Sequence, residues 1–289
     1  MHFDQFLEQA WSDHGGTPLA VGEQLKTART LLTETGQVAE LARILVHVFG
    51  EHLGDWVGAN TELARLQEHL LCLNDAAAAS AVRVARGALS LAQGQVPQGA
   101  ALDEEERVRA LCSASAVCLG RGELGNASDL FELGLKLVAL LPAASSGYER
   151  SLAVAANNLA CALGDLPLRD EAQSAQMLRA AQTARRYWEL AGTWLEVERA
   201  DYVLAKSCLR AGQVRQAAAH AAACLSLCQA NRAPAFELFF ANEIAALASR
   251  ALGYGAAFEA ARAAALNAYH GLGPQEQATC QGERDALLA

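Results

Sequence analysis

From Ala200 to Asn231 the apolar positions recur at helical spacing, break once, and resume. Leu204, Ala205 and Cys208 fall on one face of a first segment, and Val214, Ala217, Ala221 and Cys224 on one face of a second, with Ala211 and Gly212 between them. Recurrence at three- and four-residue intervals marks an amphipathic helix. The spacing predicts two antiparallel helices joined by a tight turn. Ala205 and Ala217 lie across that turn where the helices come closest, and small side chains there keep the axes within the usual ~8–10 Å.

The pattern repeats along the chain. Ser115, Gly122, Ala127 and Phe131 take the places of Ala205, Gly212, Ala217 and Ala221. In the next unit the matches are Leu159, Ala160 and Ala172, with Gly164-Asp165-Leu166-Pro167 as a different turn; in the last they are Leu247, Ala248, Gly255, Ala260 and Ala264. The small positions are thus 115, 160, 205 and 248 on the first helices and 127, 172, 217 and 260 on the second, and both series step by 45, 45 and 43. Two markers holding one spacing through four units predict an internal repeat.

The unit resembles the tetratricopeptide repeat (TPR), a helix-turn-helix element with Leu and a small residue on the first helix, Gly at the turn and small residues on the second. Asp201 stands where the family often has Trp, Cys208 where it has Tyr, and Gln229 where it has Pro. The period exceeds the ~34 residues of the standard repeat, and the chain looks like the long-helix variants of bacterial regulators and adaptor proteins. The resemblance implies an all-α fold: a right-handed α-solenoid of about six antiparallel helical hairpins with terminal capping helices.

Residues 1–94 read as a less regular part: an amphipathic helix over 2–12 bearing Phe3, Phe6, Leu7 and Trp11, then two hairpins. In the first hairpin a helix runs from Pro18, capped by Thr17, to about Glu34, and Thr35-Gly36 turns the chain into a helix ending near Phe49. In the second, helices over 55–72 and 75–93 meet at Asn74-Asp75. The run Gly94–Ala101 is the longest loop signal, and residues 102–289 carry the regular repeats, closed by a capping helix over 274–288.

Composition narrows the function. Hydrophobic residues make up 52% of the chain but aromatics only 6%, so the apolar content is mostly the small and aliphatic residues that suit close helix crossings. The net charge of −9 argues against nucleic-acid binding, which needs clustered Lys and Arg. No apolar stretch approaches the ~18 residues of a spanning helix, so no membrane is expected. The eight cysteines form no CxxC pair and sit mostly on apolar faces, which suggests a reducing, cytoplasmic setting.

Candidate chemistry is sparse. There is no GxSxG, phosphate loop or HExxH, so the chain is expected not to be an enzyme and to need no cofactor. His47 and His52, five residues apart, are expected to straddle a helix end as surface histidines rather than share a face. His14 is expected on a frayed N-terminus. Cys224 and Cys228, one turn apart, lack a second pair, so packing is the expected role and no metal site is expected. The acids Asp103–Glu106 read as residues solvating a helix start, and Arg185-Arg186-Tyr187-Trp188 as an anchor for a long helix.

In the TPR family the first helix of each unit lines a concave groove. Carried over, the groove positions are Cys112 and Ala116, Asn157 and Cys161, Tyr202 and Lys206, and Ala245 and Ser249, with Arg109, Asn158, Arg199, Arg210 and Asn242 as neighbours. The resemblance implies that Asn157 and Asn158 hold an extended peptide backbone and that Lys206 and Arg210 hold a carboxylate, with Arg109, Tyr202, Asn242 and Ser249 completing a mixed surface. The expected function is a protein-protein interaction module or scaffold with a peptide or protein partner. The alternative is a domain of a bacterial signalling system that senses a ligand or signalling peptide. The N-terminal helix could pack on its own chain or on a second copy as a homodimer; the sequence leaves both open.

Overall fold

A computed structural model describes residues 2–96, 102–142 and 144–289. The described residues hold sixteen α-helices, a 3-10 turn, a π-helical segment and no strand. The fold is all-α, and helices pack chiefly on their neighbours in sequence, as in a helical repeat. No described helix is long and apolar enough to cross a membrane. The chain divides into two compact units, residues 1–155 and 156–289.

In the first unit, α1 (Phe3–Asp13) buries Phe3, Phe6 and Ala10 in its own chain's core. It is not frayed. α2 (Pro18–Leu25) starts at Thr17 with Pro18 in its first turn, but it ends nine residues short of Glu34 and gives way to a 3-10 turn, Ala28–Leu31. The turn residue is also not Gly36. Glu34, extended at φ −134° and ψ 149°, caps α3 (Thr35–Leu45), and the Gln37 side chain reaches back to accept from Thr33 N at 2.8 Å. A side-chain cap thus makes the reversal without a left-handed residue.

α3 runs on into a π-helical segment, Val46–Leu53, ended by Gly54 at φ 63°. A Cβ on Gly50 would lie 3.1 Å from Leu89 and 3.5 Å from Val117, so its absence lets the segment approach α6 (Ala76–Ala92) and α7 (Glu104–Gly120) closely. The wider π turn also brings His47 and His52 onto one face, with their Nε2 atoms 3.2 Å apart. This corrects the expectation that they straddle a helix end. α4 (Trp56–Gln67) and the short α5 (Leu70–Leu73) precede α6, which Asp75 caps through a bond from Ala78 N. Of the loop Gly94–Ala101, residues 97–101 lie outside the described residues.

α7 is opened by a capping box between Asp103 and Glu106. Glu106 is not solvated: it is buried and bonded by Arg83 and Ser80 from α6. α7 and α8 (Leu124–Val138) form the Ser115–Ala127 hairpin around Gly122, at φ 75°.

α9 (Glu149–Gly164) and α10 (Glu171–Ala191) follow. Arg169 Nη1 donates to the carbonyls of Leu163, Gly164 and Leu166, which builds the long turn between them. In the second unit α11 (Trp194–Arg210) pairs with α12 (Val214–Ala230) and α13 (Ala235–Ala251) with α14 (Gly255–His270). α15 (Pro274–Thr279) and α16 (Gln281–Leu288) cover the end, burying Cys280 and Leu287.

The first-helix markers Ser115, Ala160, Ala205 and Ala248 are all buried. The second-helix series needs correction. Ala127 and Ala217 are buried, but Ala172, Ala260 and Ala264 are exposed. The Arg169 turn shifts α10, so Met177, Ala181, Ala184 and Trp188 take the places of Ala217, Ala221, Cys224 and Cys228. In the last hairpin the turn closes early, at Gly253 with φ 77°, and Ala265 and Tyr269 replace Cys224 and Cys228. Gly255 is simply the first residue of α14.

Candidate functional site

The expected groove residues fall in different compact units. Arg109 lies in the first, where Nη2 donates to Ser80 Oγ at 2.7 Å beside the Arg83–Glu106 pair, so it is a helix-to-helix tie. Cys112, placed on the same face by the repeat, is buried, and burial pushes its thiol up to about 12. Asn157, Asn158, Tyr202, Lys206, Arg210, Asn242 and Ser249 lie in the second.

Within that unit the site is built on α11. A capping box of Thr193 and Glu196 fixes its start. Tyr202, Lys206 and Arg210 then recur every four residues and share a face. Lys206 Nζ donates to the Tyr202 hydroxyl at 2.9 Å and to Glu283 Oε1 of α16 at 3.4 Å. Arg210 Nη2 donates to Asp165 Oδ1 at 3.3 Å, just past α9. Both ion pairs are long and partly solvated, a kind worth only ~0–1 kcal/mol. They hold two cations extended without committing them.

Cys161, one turn before Asp165, belongs to the same neighbourhood. Its thiol is raised first by burial and then by Asp165, with Arg210 and Lys206 acting the other way. Asn157 is half-buried and Asn158 exposed on the same helix. Asn242 is half-buried, and its Nδ2 donates to Leu238 O at 2.7 Å on its own helix. Ser249 is half-buried near the end of α13. Arg199 is engaged by Glu237 of α13.

Behind the cations lies a half-buried aromatic pair with a buried acid beside it. The Tyr202 ring meets Phe240 edge to face at 5.4 Å. Burial, then the charge of Glu243, raises the Tyr202 hydroxyl well above its ordinary value. Glu243 is 1% exposed and its Oε2 has no hydrogen-bond partner. Burial, opposed by Lys206 and helped by Glu283, brings it up to about 7. A second buried acid, Glu198, accepts from Cys224 Sγ at 2.8 Å. Burial lifts it also to about 7, against the bonds from Cys224 and Cys228. These two thiols therefore pack around a carboxyl.

Residues outside the sequence expectations complete the unit. Asp201 is buried and held by Arg185 Nε at 2.7 Å and His220 Nδ1 at 2.8 Å, along a cleft of about 470 Å³. Its place in the repeat as a Trp substitute gave no sign of this, because the partners come from α10 and α12. Glu283 and Glu243 carried no periodic signal either; only the mixture of acids with an apolar run marks Glu243.

No protein-family model and no curated protein matches the sequence. Among solved structures, the crystal structure of BtubC (BKLC) from P. vanneervenii superposes with a TM-score of 0.52 at 16% identity, covering 97% of this chain and 90% of that one. At that identity the likeness concerns the fold: it supports an all-helical repeat.

Proposed function

We propose that this chain is a non-enzymatic, TPR-like interaction module that takes a segment of a protein partner on the face formed by α9, α11 and α13. One observation carries the reading: Lys206 and Arg210, one turn apart, each reach a carboxylate supplied by another element, through a long and solvated contact. A partner's carboxylate can exchange with Glu283 or Asp165 at little cost, because charge-assisted bonds of equal kind are made and broken. The Tyr202 ring and the Asn157 and Asn158 amides supply the apolar and hydrogen-bonding contacts that an extended backbone uses. The helical-repeat fold and the register of the first-helix markers support the TPR-like assignment. The eight free thiols fit a cytoplasmic setting.

The test is binding of fluorescent peptide pools, with free or capped carboxyl ends, to the full chain and to the Lys206→Ala, Arg210→Ala double variant. Carboxylate-bearing peptides should bind the natural chain and lose affinity tenfold or more, ~1.4 kcal/mol, in the variant. Glu283→Ala should tighten binding. Absence of any bound peptide or protein segment, or binding indifferent to the double substitution, would overturn the reading.

A further inference from the structure

Far along the sequence from the α11 face, three imidazoles converge in the first unit. His14 follows the last residue of α1, and His47 and His52 lie on one face of the π segment. Ring centroids are 4.7 Å apart for His14 and His47, 5.1 Å for His14 and His52, and 4.8 Å for His47 and His52. One candidate ligand nitrogen from each residue lies within 4.8 Å of the other two.

The surroundings fix which nitrogens are free. His14 Nδ1 is 2.7 Å from the Trp11 carbonyl oxygen, which can only accept, so Nδ1–H donates and the Nε2 lone pair is left open. His47 Nδ1 is 2.8 Å from Glu51 Oε2 and donates to that carboxylate, so its Nε2 lone pair faces His52 Nε2 at 3.2 Å. An imidazole whose far nitrogen is held by a carboxylate or a carbonyl is the arrangement that orients metal-ligating histidines.

We propose that His14, His47 and His52 form a site for one divalent transition-metal ion of the zinc class, with Glu51 orienting His47 and a fourth position open to solvent. Tetrahedral zinc with bonds of ~2.0–2.1 Å places its ligand nitrogens roughly 3.3 Å apart, and the His47–His52 pair is already at 3.2 Å. His14 closes on that pair by about 1.5 Å at most to meet the same geometry; it stands just past α1, before the Gly15-Gly16 turn. The all-imidazole set selects zinc, cobalt, nickel or copper and disfavours magnesium and calcium, which demand oxygen ligands. His52 is exposed, so an ion can enter and its fourth ligand can be water or a group from outside. Trp11, with its ring 5.0 Å from His47 and 5.3 Å from His14, forms one wall.

The experiment titrates the chelator-treated full chain with zinc, by dye competition, and with cobalt, by visible absorption. One zinc ion per chain and the absorption bands of four-coordinate cobalt are expected. Copper should quench tryptophan emission, and the Trp11→Phe variant should lose most of that quenching. His52→Ala, at an exposed position, should abolish the cobalt bands while leaving the circular dichroism unchanged. Glu51→Gln should weaken zinc ~10–100-fold. A chain that retains no zinc, or zinc and cobalt binding that survives both His47→Ala and His52→Ala, would overturn the site.

Discussion

The Ser115 hydroxyl donates to the carbonyl oxygen of Ala127 at 2.8 Å, and both residues are fully buried. The two residues are the paired small positions of one hairpin, so the bond reports directly how close α7 and α8 approach. Ala127→Leu forces a larger side chain into that crossing and should destabilise the chain by ~1–3 kcal/mol or more. Ser115→Ala removes only the hydroxyl bond and should cost ~0.5–1.5 kcal/mol. Urea unfolding of both variants checks the order; a Leu at 127 tolerated as well as Ala would contradict the packing.

Gly212 and Gly255, matched to each other by the repeat, should respond oppositely to alanine. Gly212 has φ 73°, where a Cβ costs ~1–2 kcal/mol. Gly255 opens α14 without a positive φ, and a Cβ there meets open space. Gly212→Ala should lower the melting temperature, and Gly255→Ala should raise stability by ~0.4–1 kcal/mol. Calorimetry of the two variants separates the outcomes.

Glu198 and Glu243 make the chain sensitive to alkali. Both are raised in the folded state to about 7 by burial, whereas an unfolded glutamate titrates near 4.3. The folded form therefore holds its protons longer. The stabilisation from those protons is complete below about pH 4.3 and is lost as pH rises through about 7. Glu198→Gln and Glu243→Gln should each stabilise the chain at pH 8 by an amount of order 1–3 kcal/mol, seen as a higher melting temperature, and give little or no gain at pH 5. Equal effects at both pH values would contradict the burial of these acids as charges.

Glu106 acts in the opposite sense. Burial alone would raise it, but the hydrogen bonds from Arg83 and Ser80 and the charge of Arg83 outweigh burial and leave it below its ordinary value. Its contribution is present above the unfolded value and is lost as pH falls through the lower folded one. Arg83→Ala leaves a buried carboxylate with only the Ser80 hydroxyl and the Asp103 backbone N–H as partners and should cost ~3–5 kcal/mol at pH 7. Chemical denaturation of that variant at pH 7 and pH 4 should show the cost shrinking in acid.

The all-helical class and the first-helix register were legible because burial on one face imposes a 3.6-residue period, and Ser115, Ala160, Ala205 and Ala248 obey it. The second-helix register was not, because turn length is set by local bonds. The three carbonyls held by Arg169, and the early left-handed turn at Gly253, move α10 and α14 without changing the apolar period inside them. Tyr202, Lys206 and Arg210 were singled out by the resemblance to the tetratricopeptide repeat, and their four-residue spacing puts them on one face of α11. Glu243, Glu283 and the Asp201 partners were not, since tertiary packing brings them from separate helices. His47 and His52 escaped for a different reason: a π turn follows no pattern that an α-helical count can expose.

Seven of the eight cysteines are buried and Cys161 alone is partly open, beside Lys206 and Arg210. The chain therefore arrives with its own attachment point for a thiol-directed dye. A fluorophore placed there, with no cysteine removed elsewhere, would watch the α11 face from a few side chains away.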